Sequence, residues 1–362
     1  MKWGIIGSGH VAYEIAYAIK SVSNNIIVAV SSRTQANADE FGKILNIPGV
    51  YNKYQQLIDD PEVEIVYIAV PNTHHAQIMK ECLEKGKHVL CEKPFTINAK
   101  EALEIKELAN KRGVFCMEAF WTRFHPSVEK VRKLISDKEI GAVKMIRGSF
   151  GHNTTSKRAH DLSAGGGALL DLGFYPISLA YTFLGRPDKI TGNLAMGKSG
   201  VDVQAVVNLK YPDAGLVTIM CSHETNLDNE FIIFGERGSI KIRAPFYRSS
   251  TIEVISYPLP QAVEGERKIL VPRNYFILPV FGRYAPFVID QIRRFLPSKS
   301  KKIVSPFEGN GYKEQILHVY DCIRNGKTES PLHSLDTTIG VLRILDEVRA
   351  NEKFIYPSEI TL

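Results

Sequence analysis

The chain is predicted to be an α/β protein of two parts. Three observations predict it. The first ~120 residues alternate short apolar runs with helical patterns, as a parallel sheet with crossover helices requires. A glycine-rich turn, Gly7-Ser8-Gly9-His10-Val11-Ala12, joins the first apolar run to the first helical pattern. From Lys189 to about Ile255 the sequence is rich in β-type runs, which suggests a mostly antiparallel sheet. At 362 residues the chain exceeds one ordinary core, so two domains are expected, 1–120 and 121–362.

The elements follow in chain order. Residues 2–6 form a first strand. Residues 11–20 are helical, with an apolar stripe at Val11, Ile15, Ala18 and Ile19. A strand at 26–30, a helix at 36–45 and a helical turn at 54–58 come next. Residues 65–70 are continuously apolar, as a central strand buried on both faces should be. A helix at 75–85 stops at Gly86. A strand at 89–91, a helix at 99–112 and a strand at 114–118 complete the first part. The character then changes. Residues 127–136 are helical, and 143–152 alternate as a strand. Gly165-Gly166-Gly167 opens an apolar helical stretch to Leu184. Strands are expected at 203–211, 216–222, 230–235, 239–243 and 251–255. Residues 299–302 read as a short basic loop. Helices at 306–324 and 335–349 close the chain, and the last can pack back on the first domain.

Composition sets outer limits. Hydrophobic residues make up 44% and charged residues 23%, as in soluble enzymes. No apolar run reaches the ~18–20 residues that span a bilayer, so no membrane partner is expected. Met1-Lys2-Trp3 leads straight into a strand rather than a signal peptide. The five cysteines are scattered and odd in number, which points to a reducing cytoplasm and away from structural zinc. None of the ten histidines forms a metal-ligand cluster. The net charge of +6 is dispersed, so nucleic acid is not an expected partner.

The glycine turn fits G-x-G-x-x-A between a strand and a helix, the start of a Rossmann dinucleotide-binding unit. Gly7 makes the tight turn, Gly9 lets the backbone approach a pyrophosphate, and Ala12 lets helix pack on strand. The helix N-terminus, with Ser8, His10 and Val11, offers N–H groups to phosphates. An enzyme preferring NAD usually ends its second strand in an acid that binds the ribose hydroxyls. Here the strand ends Val30-Ser31-Ser32-Arg33. Nothing there repels a 2′-phosphate, and Ser32 and Arg33 can bind one, so NADP(H) is the expected cofactor.

Three later segments carry chemistry: Cys91-Glu92-Lys93-Pro94, the stretch from Met117 to Pro126 (Glu-Ala-Phe-Trp-Thr-Arg-Phe-His-Pro after Met117), and the stretch Gly165-Gly166-Gly167-Ala168-Leu169-Leu170-Asp171-Leu172-Gly173-Phe174-Tyr175-Pro176. With the first glycine turn and Ala69-Val70-Pro71-Asn72-Thr73-His74-His75, these make nearly the whole chain resemble the glucose–fructose oxidoreductase/inositol dehydrogenase superfamily. Within it the likeness is greatest to dimeric dihydrodiol dehydrogenases and the related NADP-dependent xylose dehydrogenases. The resemblance implies a Rossmann domain and a C-terminal α/β domain whose large open sheet often serves as a dimer interface; a homodimer is expected on that ground. It also implies that Lys93 is the family's catalytic lysine and Tyr175 its general acid/base, with Asp171 four residues earlier. Many relatives have His where this chain has Tyr175, which argues against an inositol-type activity. Further candidate cofactor contacts are Pro71, Asn72, His75, Glu92, Lys93 and Trp121. Trp121, Arg123, Phe150, His152 and Tyr175 are candidates for the substrate pocket, with core packing the alternative reading.

The chemistry agrees. Oxidising an alcohol requires a hydride to leave carbon and a proton to leave oxygen, and the protein must handle the proton. A free tyrosine has a pKa of ~10. A nearby ammonium such as Lys93 should lower it. Asp171 and Tyr175 share a face if one helix runs through both; a helix beginning anew at Pro176 would weaken that argument. One of His74 and His75 can touch the nicotinamide ribose, or both can be ordinary surface histidines. The leading expectation is an NADP-dependent oxidoreductase acting on a sugar or a cyclic trans-diol. The alternative is a non-catalytic NADP-binding regulator of the same fold, which would not need both Lys93 and Tyr175. Pocket shape depends on loops at 151–164 and 261–273.

Overall fold

The computed structural model describes residues 1–257 and 300–360. The expected loop at 261–273 therefore lies outside the described residues. The first part is a six-stranded parallel sheet: β1 (Lys2–Ile6), β2 (Ile26–Ser31), β3 (Gly49–Tyr51), β4 (Ile65–Ile68), β5 (His88–Glu92) and β6 (Cys116–Ala119). The strand order is β3-β2-β1-β4-β5-β6. The order reverses between β1 and β4, so a crevice opens at their carboxyl ends. Helices α1 (His10–Ser21), α2 (Gln35–Leu45), α3 (Tyr54–Asp59), α4 (His75–Glu84) and α5 (Ala99–Arg112) link the strands. The apolar stripe of α1 turns inward, with Ala12, Ile15 and Ile19 fully buried. The edge strand β3, only three residues long, was not expected from the sequence.

The second sheet has eight strands: β7 (Val143–Gly151), β8 (Lys189–Met196), β9 (Asp202–Tyr211), β10 (Gly215–Ser222), β11 (Phe231–Gly235), β12 (Gly238–Ile242), β13 (Thr251–Ser256) and β14 (Ser300–Val304). Its order is β14-β13-β12-β11-β7-β10-β9-β8. Among the described residues only the β7–β10 pair of this sheet is parallel, and its other pairs are antiparallel. Of residues 299–302, expected to be a basic loop, 300–302 instead open strand β14, which pairs with β13, and 299 lies outside the described residues. Lys301 and Lys302 are exposed there, as charges on an edge strand should be. The expected helix at 306–324 is shorter, Lys313–Arg324, because Gly309 and Gly311 both have positive φ and interrupt it.

The run after Gly165-Gly166-Gly167 is one continuous helical stretch of two kinds. Leu169–Gly173 is a π-helical turn, and α7 (Phe174–Leu184) follows without a break. Pro176 lies inside this continuous stretch, just past the π turn, and its missing N–H removes a backbone hydrogen bond there. Leu162–Leu184 is long and apolar enough to cross a membrane by length and composition, which corrects the expectation that no such run exists. However, 72% of its most apolar window is buried inside the protein, so its apolarity serves the core. The C-terminal helix Leu335–Asn351 packs on α7 and β8 and also on α5 and β6, and so touches both sheets. Buried Glu118 at the end of β6 accepts hydrogen bonds from Phe95 N (2.9 Å) and Thr338 Oγ1 (3.0 Å), and its Oε2 lies 2.9 Å from His333 Nε2. All five cysteines are free and buried.

Asp202 positions the π turn. Its Oδ2 accepts the Leu169 N–H at 2.6 Å. Gly167 has φ +128°, and a Cβ there would lie 2.2 Å from Asp202 Oδ1, so only glycine fits. Asp202 is fully buried and its Oδ1 has no partner among the described residues. Burial pushes its carboxyl up to about 6. A raised folded pKa means stability that is present at low pH and lost as pH rises through about 6. Asp202→Asn removes that penalty. Urea unfolding across pH should show the variant gaining on the wild type by about 2 kcal/mol as pH rises from about 4 to 7. A constant difference between the two proteins would refute this account.

Candidate active site

At the end of β1 the chain turns through Gly7, which has φ +115°. A Cβ at Gly7 would lie 2.2 Å from the Ala69 carbonyl oxygen. Gly7 N donates to Ser31 O at 2.9 Å, tying the turn to β2. A Cβ on Gly9, by contrast, would meet nothing within 4 Å. Gly9 caps the 12-residue α1 with no side-chain hydrogen bond, so the first-turn N–H groups lack a side-chain acceptor. The crevice here is a cleft of about 790 Å³. Gly7, Ser8, Gly9, Ser32, Arg33 and Pro71 line it, as expected from the sequence. The Ser8 and Ser32 hydroxyls lie 2.8 Å apart. Lys53 and Arg158 add two more cations, and no Asp or Glu is among the described lining residues. An open glycine face, an uncapped helix N-terminus and cationic walls fit a phosphate-bearing dinucleotide.

Other expected cofactor contacts are placed differently. His10 and Val11 open α1, with the His10 side chain exposed to solvent. Asn72 is buried and donates to Gly165 O at 2.9 Å, while Arg158 Nη2 donates to its Oδ1 at 3.0 Å. His75 is fully buried, with Nδ1 2.9 Å from Pro94 O and Nε2 3.1 Å from Val70 O. Burial pushes its pKa down to about 4, so the neutral ring can donate to only one of these carbonyls. It braces the segment that follows Lys93. His74, its neighbour, is the histidine that lines the cleft. Glu92 is buried too and accepts from the Tyr67 hydroxyl. The sequence reading missed Arg158, which lies in the 151–164 loop whose conformation it could not derive. It also missed Asn37, Asn52 and Gln77, polar residues with no motif to mark them.

Lys93 follows β5, and its peptide bond to Pro94 is cis. Its ammonium donates to Asp171 Oδ1 at 2.7 Å and to the Asp171 carbonyl at 3.0 Å. The same Nζ lies 4.6 Å from the centre of the Tyr175 ring. The π turn and α7 thus present Asp171 and Tyr175 to one lysine, which settles the question Pro176 raised. Burial pushes the Asp171 carboxyl up, but Lys93 and His223 outweigh it and hold it well below the usual carboxylate range. The side chain is 40% exposed, so it lies deep in the fold yet opens to solvent on one side.

Tyr175 departs from expectation. Burial, then the negative charges of Glu92 and Asp171, push its phenol well above the usual value; the Trp121 indole N–H acts in the opposite sense. The expected lowering by Lys93 is not seen: burial is the largest influence, and Asp171, 2.7 Å from that ammonium, acts on the phenol with the opposite sign. Phe150 meets Tyr175 edge-on at 5.4 Å and stacks on Tyr247 at 4.6 Å. Trp121 meets Tyr175 edge-on at 6.5 Å and stacks on Tyr312 at 4.7 Å. His152 is exposed, 6.0 Å from Phe150 between ring centres. Arg123 is different: it is buried and ion-paired with Glu129, so its charge is satisfied within the fold. Tyr247 and His223 complete the surroundings, and no sequence motif marked either. Among the described residues no group of three or more His, Cys, Asp and Glu could hold a metal ion.

Comparison with known proteins gives the family. Residues 1–120 match the family described as "Oxidoreductase family, NAD-binding Rossmann fold", and residues 128–241 match the "GFO/IDH/MocA C-terminal domain". The chain belongs to the GFO/IDH/MocA oxidoreductase family. Trans-1,2-dihydrobenzene-1,2-diol dehydrogenase of Mus musculus is 32% identical over 364 residues, 99% of each chain. The Homo sapiens enzyme of that name is 30% identical over the same span. Among solved structures, a 3-ketoreductase from Actinomadura kijaniata with NADP and TDP-benzene shares the fold with TM-score 0.79 at 21% identity, over 97% of each chain. Aldose-aldose oxidoreductase from Caulobacter crescentus does so with TM-score 0.78 at 20% identity, over 98% of this chain and 97% of that one. For this family member, Gly7→Ala should weaken NADPH binding at least about tenfold and cost about 1–3 kcal/mol of stability. Fluorescence titration and urea unfolding measure the two effects; unchanged affinity would contradict the cleft as the dinucleotide seat.

Proposed function

We propose that this protein is an NADP-dependent dehydrogenase. It transfers hydride between the nicotinamide and a hydroxyl or carbonyl carbon of a sugar or cyclic trans-diol. The observation that carries the reading is the Lys93 ammonium, held by Asp171 at 2.7 Å and seated 4.6 Å from the centre of the Tyr175 ring, in a fold whose dinucleotide cleft, lined by neither Lys93 nor Tyr175, has no described carboxylate. Residues 1–120 are proposed as the cofactor domain and 121–362 as the substrate and dimerisation domain. The named activity of the 30–32% identical relatives supports the substrate class.

The cofactor would be held by the Gly7–Gly9 turn, by Ser32 and by Arg33; when bound it supplies the hydride acceptor or donor. The chain's own residues manage the proton. Burial and nearby negative charge favour the Tyr175 phenol, which donates its proton to a carbonyl oxygen in the reducing direction and becomes a phenolate; oxidation starts from that phenolate, which takes the alcohol proton and returns to the phenol. Lys93 orients the oxygen with a fixed ammonium donor. The Phe150–Tyr247 stack and Trp121 form an apolar wall for the ring of a cyclic substrate. A homodimer through one face of the eight-stranded sheet belongs to the same proposal. Met145 and Leu216 pair side by side there and are 43% and 51% exposed.

Three measurements test the reading. NADPH absorbance with aldoses, polyols and trans-diols should reveal turnover; tight NADP binding with no turnover on any of them would favour a regulator instead. Tyr175→Phe should lower kcat by about 10²–10⁴-fold with NADP affinity nearly unchanged. Arg33→Ala should raise KM for NADP about tenfold and leave that for NAD unaffected. A wild-type preference for NAD that survives Arg33→Ala would rule out the cofactor assignment.

A further inference from the structure

His223 follows β10, and its main chain is fixed: His223 N donates to Val203 O at 2.9 Å. Its side chain is wholly buried. Neither ring nitrogen has a hydrogen-bond partner among the described residues. A buried imidazole in that state is unusual, because buried polar groups are ordinarily paired. The ring has one close polar neighbour, Asp171, whose Oδ2 lies 3.3 Å from Nε2 at an angle outside hydrogen-bond geometry. The two oxygens of Asp171 are thus divided. Oδ1 receives the Lys93 ammonium, and Oδ2 faces His223. A small rotation of either group would complete the second bond.

We propose that His223 is a positioning residue of the reacting centre. It stands behind Asp171 and keeps the carboxylate turned so that Lys93 stays over Tyr175. The inference rests on the oxidoreductase reading of Lys93 and Tyr175. A carboxylate held only by a lysine can swing about its χ2; a second, buried contact on the other oxygen removes that freedom. Nothing in the glycine-rich motif marks His223, because it reaches Asp171 across the second sheet. His152 and His160 flank it, with ring centres 6.1 and 5.8 Å away.

The experiment compares His223→Leu, which removes both nitrogens, with His223→Gln, whose amide can restore a donor near Nε2. Circular dichroism and thermal melting select variants that fold. His223→Leu should lower kcat about 100-fold, the scale of a misplaced reacting group, with KM for NADP within about twofold of wild type. His223→Gln should recover most of that loss. A second readout does not need turnover. The rate at which an amine reagent modifies Lys93, followed by peptide mass spectrometry, should rise several-fold in His223→Leu and return in His223→Gln. This labelling decides the proposal even if no alcohol is turned over, so failure of the oxidoreductase reading is told apart from failure of this one. Folded His223→Leu with wild-type Lys93 labelling would overturn it. So would a loss of activity that His223→Gln repairs no better than Leu, since that pattern belongs to packing alone.

Discussion

The ion pair between Lys93 and Asp171 is the constraint on which the site depends. It joins residues 78 apart in sequence, one leaving the parallel sheet and one in the π turn beside the antiparallel sheet. Lys93 is 13% exposed and Asp171 40%, so the pair is screened on one side only. Its geometry decides where the ammonium sits relative to the Tyr175 ring. It also decides the charge felt by the phenol. An unpaired lysine would stabilise a phenolate, whereas a lysine neutralised by its carboxylate leaves Glu92 and Asp171 to disfavour one.

The groups around this pair are mostly supports. His75 lies between the Val70 and Pro94 carbonyls and, by donating to one of them, steadies the backbone past Lys93. Asp202 fastens the first residue of the π turn. A π turn is an uncommon local form that recurs at functional sites, and here it puts Asp171 and Tyr175 against one ammonium. That irregular backbone is accommodated by glycines that approach neighbouring groups closely and by the hydrogen bond from Leu169 N–H to Asp202.

Contacts between the two sheets are polar as well as apolar. Asn72 and Thr73 donate to Gly165 O and Ser163 O near the cleft. Farther away, Glu118 gathers Phe95, Thr338 and His333, and Arg349 donates to Ile97 O at 3.2 Å. Directional bonds of this kind specify one orientation more tightly than apolar contact does. The cofactor cleft therefore has a wall, through Arg158, that belongs to the second part of the chain.

Local pattern was enough for much of this. The apolar run at Ile65–Ile68 and the stripe of α1 determined the parallel sheet, because their periods are properties of consecutive residues. Gly7 and Gly9 revealed the dinucleotide turn, Gly7 because its backbone admits only glycine and Gly9 because it leaves the face of the turn open, and Ser32-Arg33 revealed its cationic rim. The motifs named Lys93, Asp171 and Tyr175. Only tertiary structure decided their electrostatics: the partner that neutralises Lys93, the burial that raises Tyr175, and the turning of Arg123 and His75 to structural duty. It alone brought His223, Arg158 and Tyr247 to the site. Those three come from distant strands and loops, and contact between residues far apart in sequence leaves no mark in the spacing of either one.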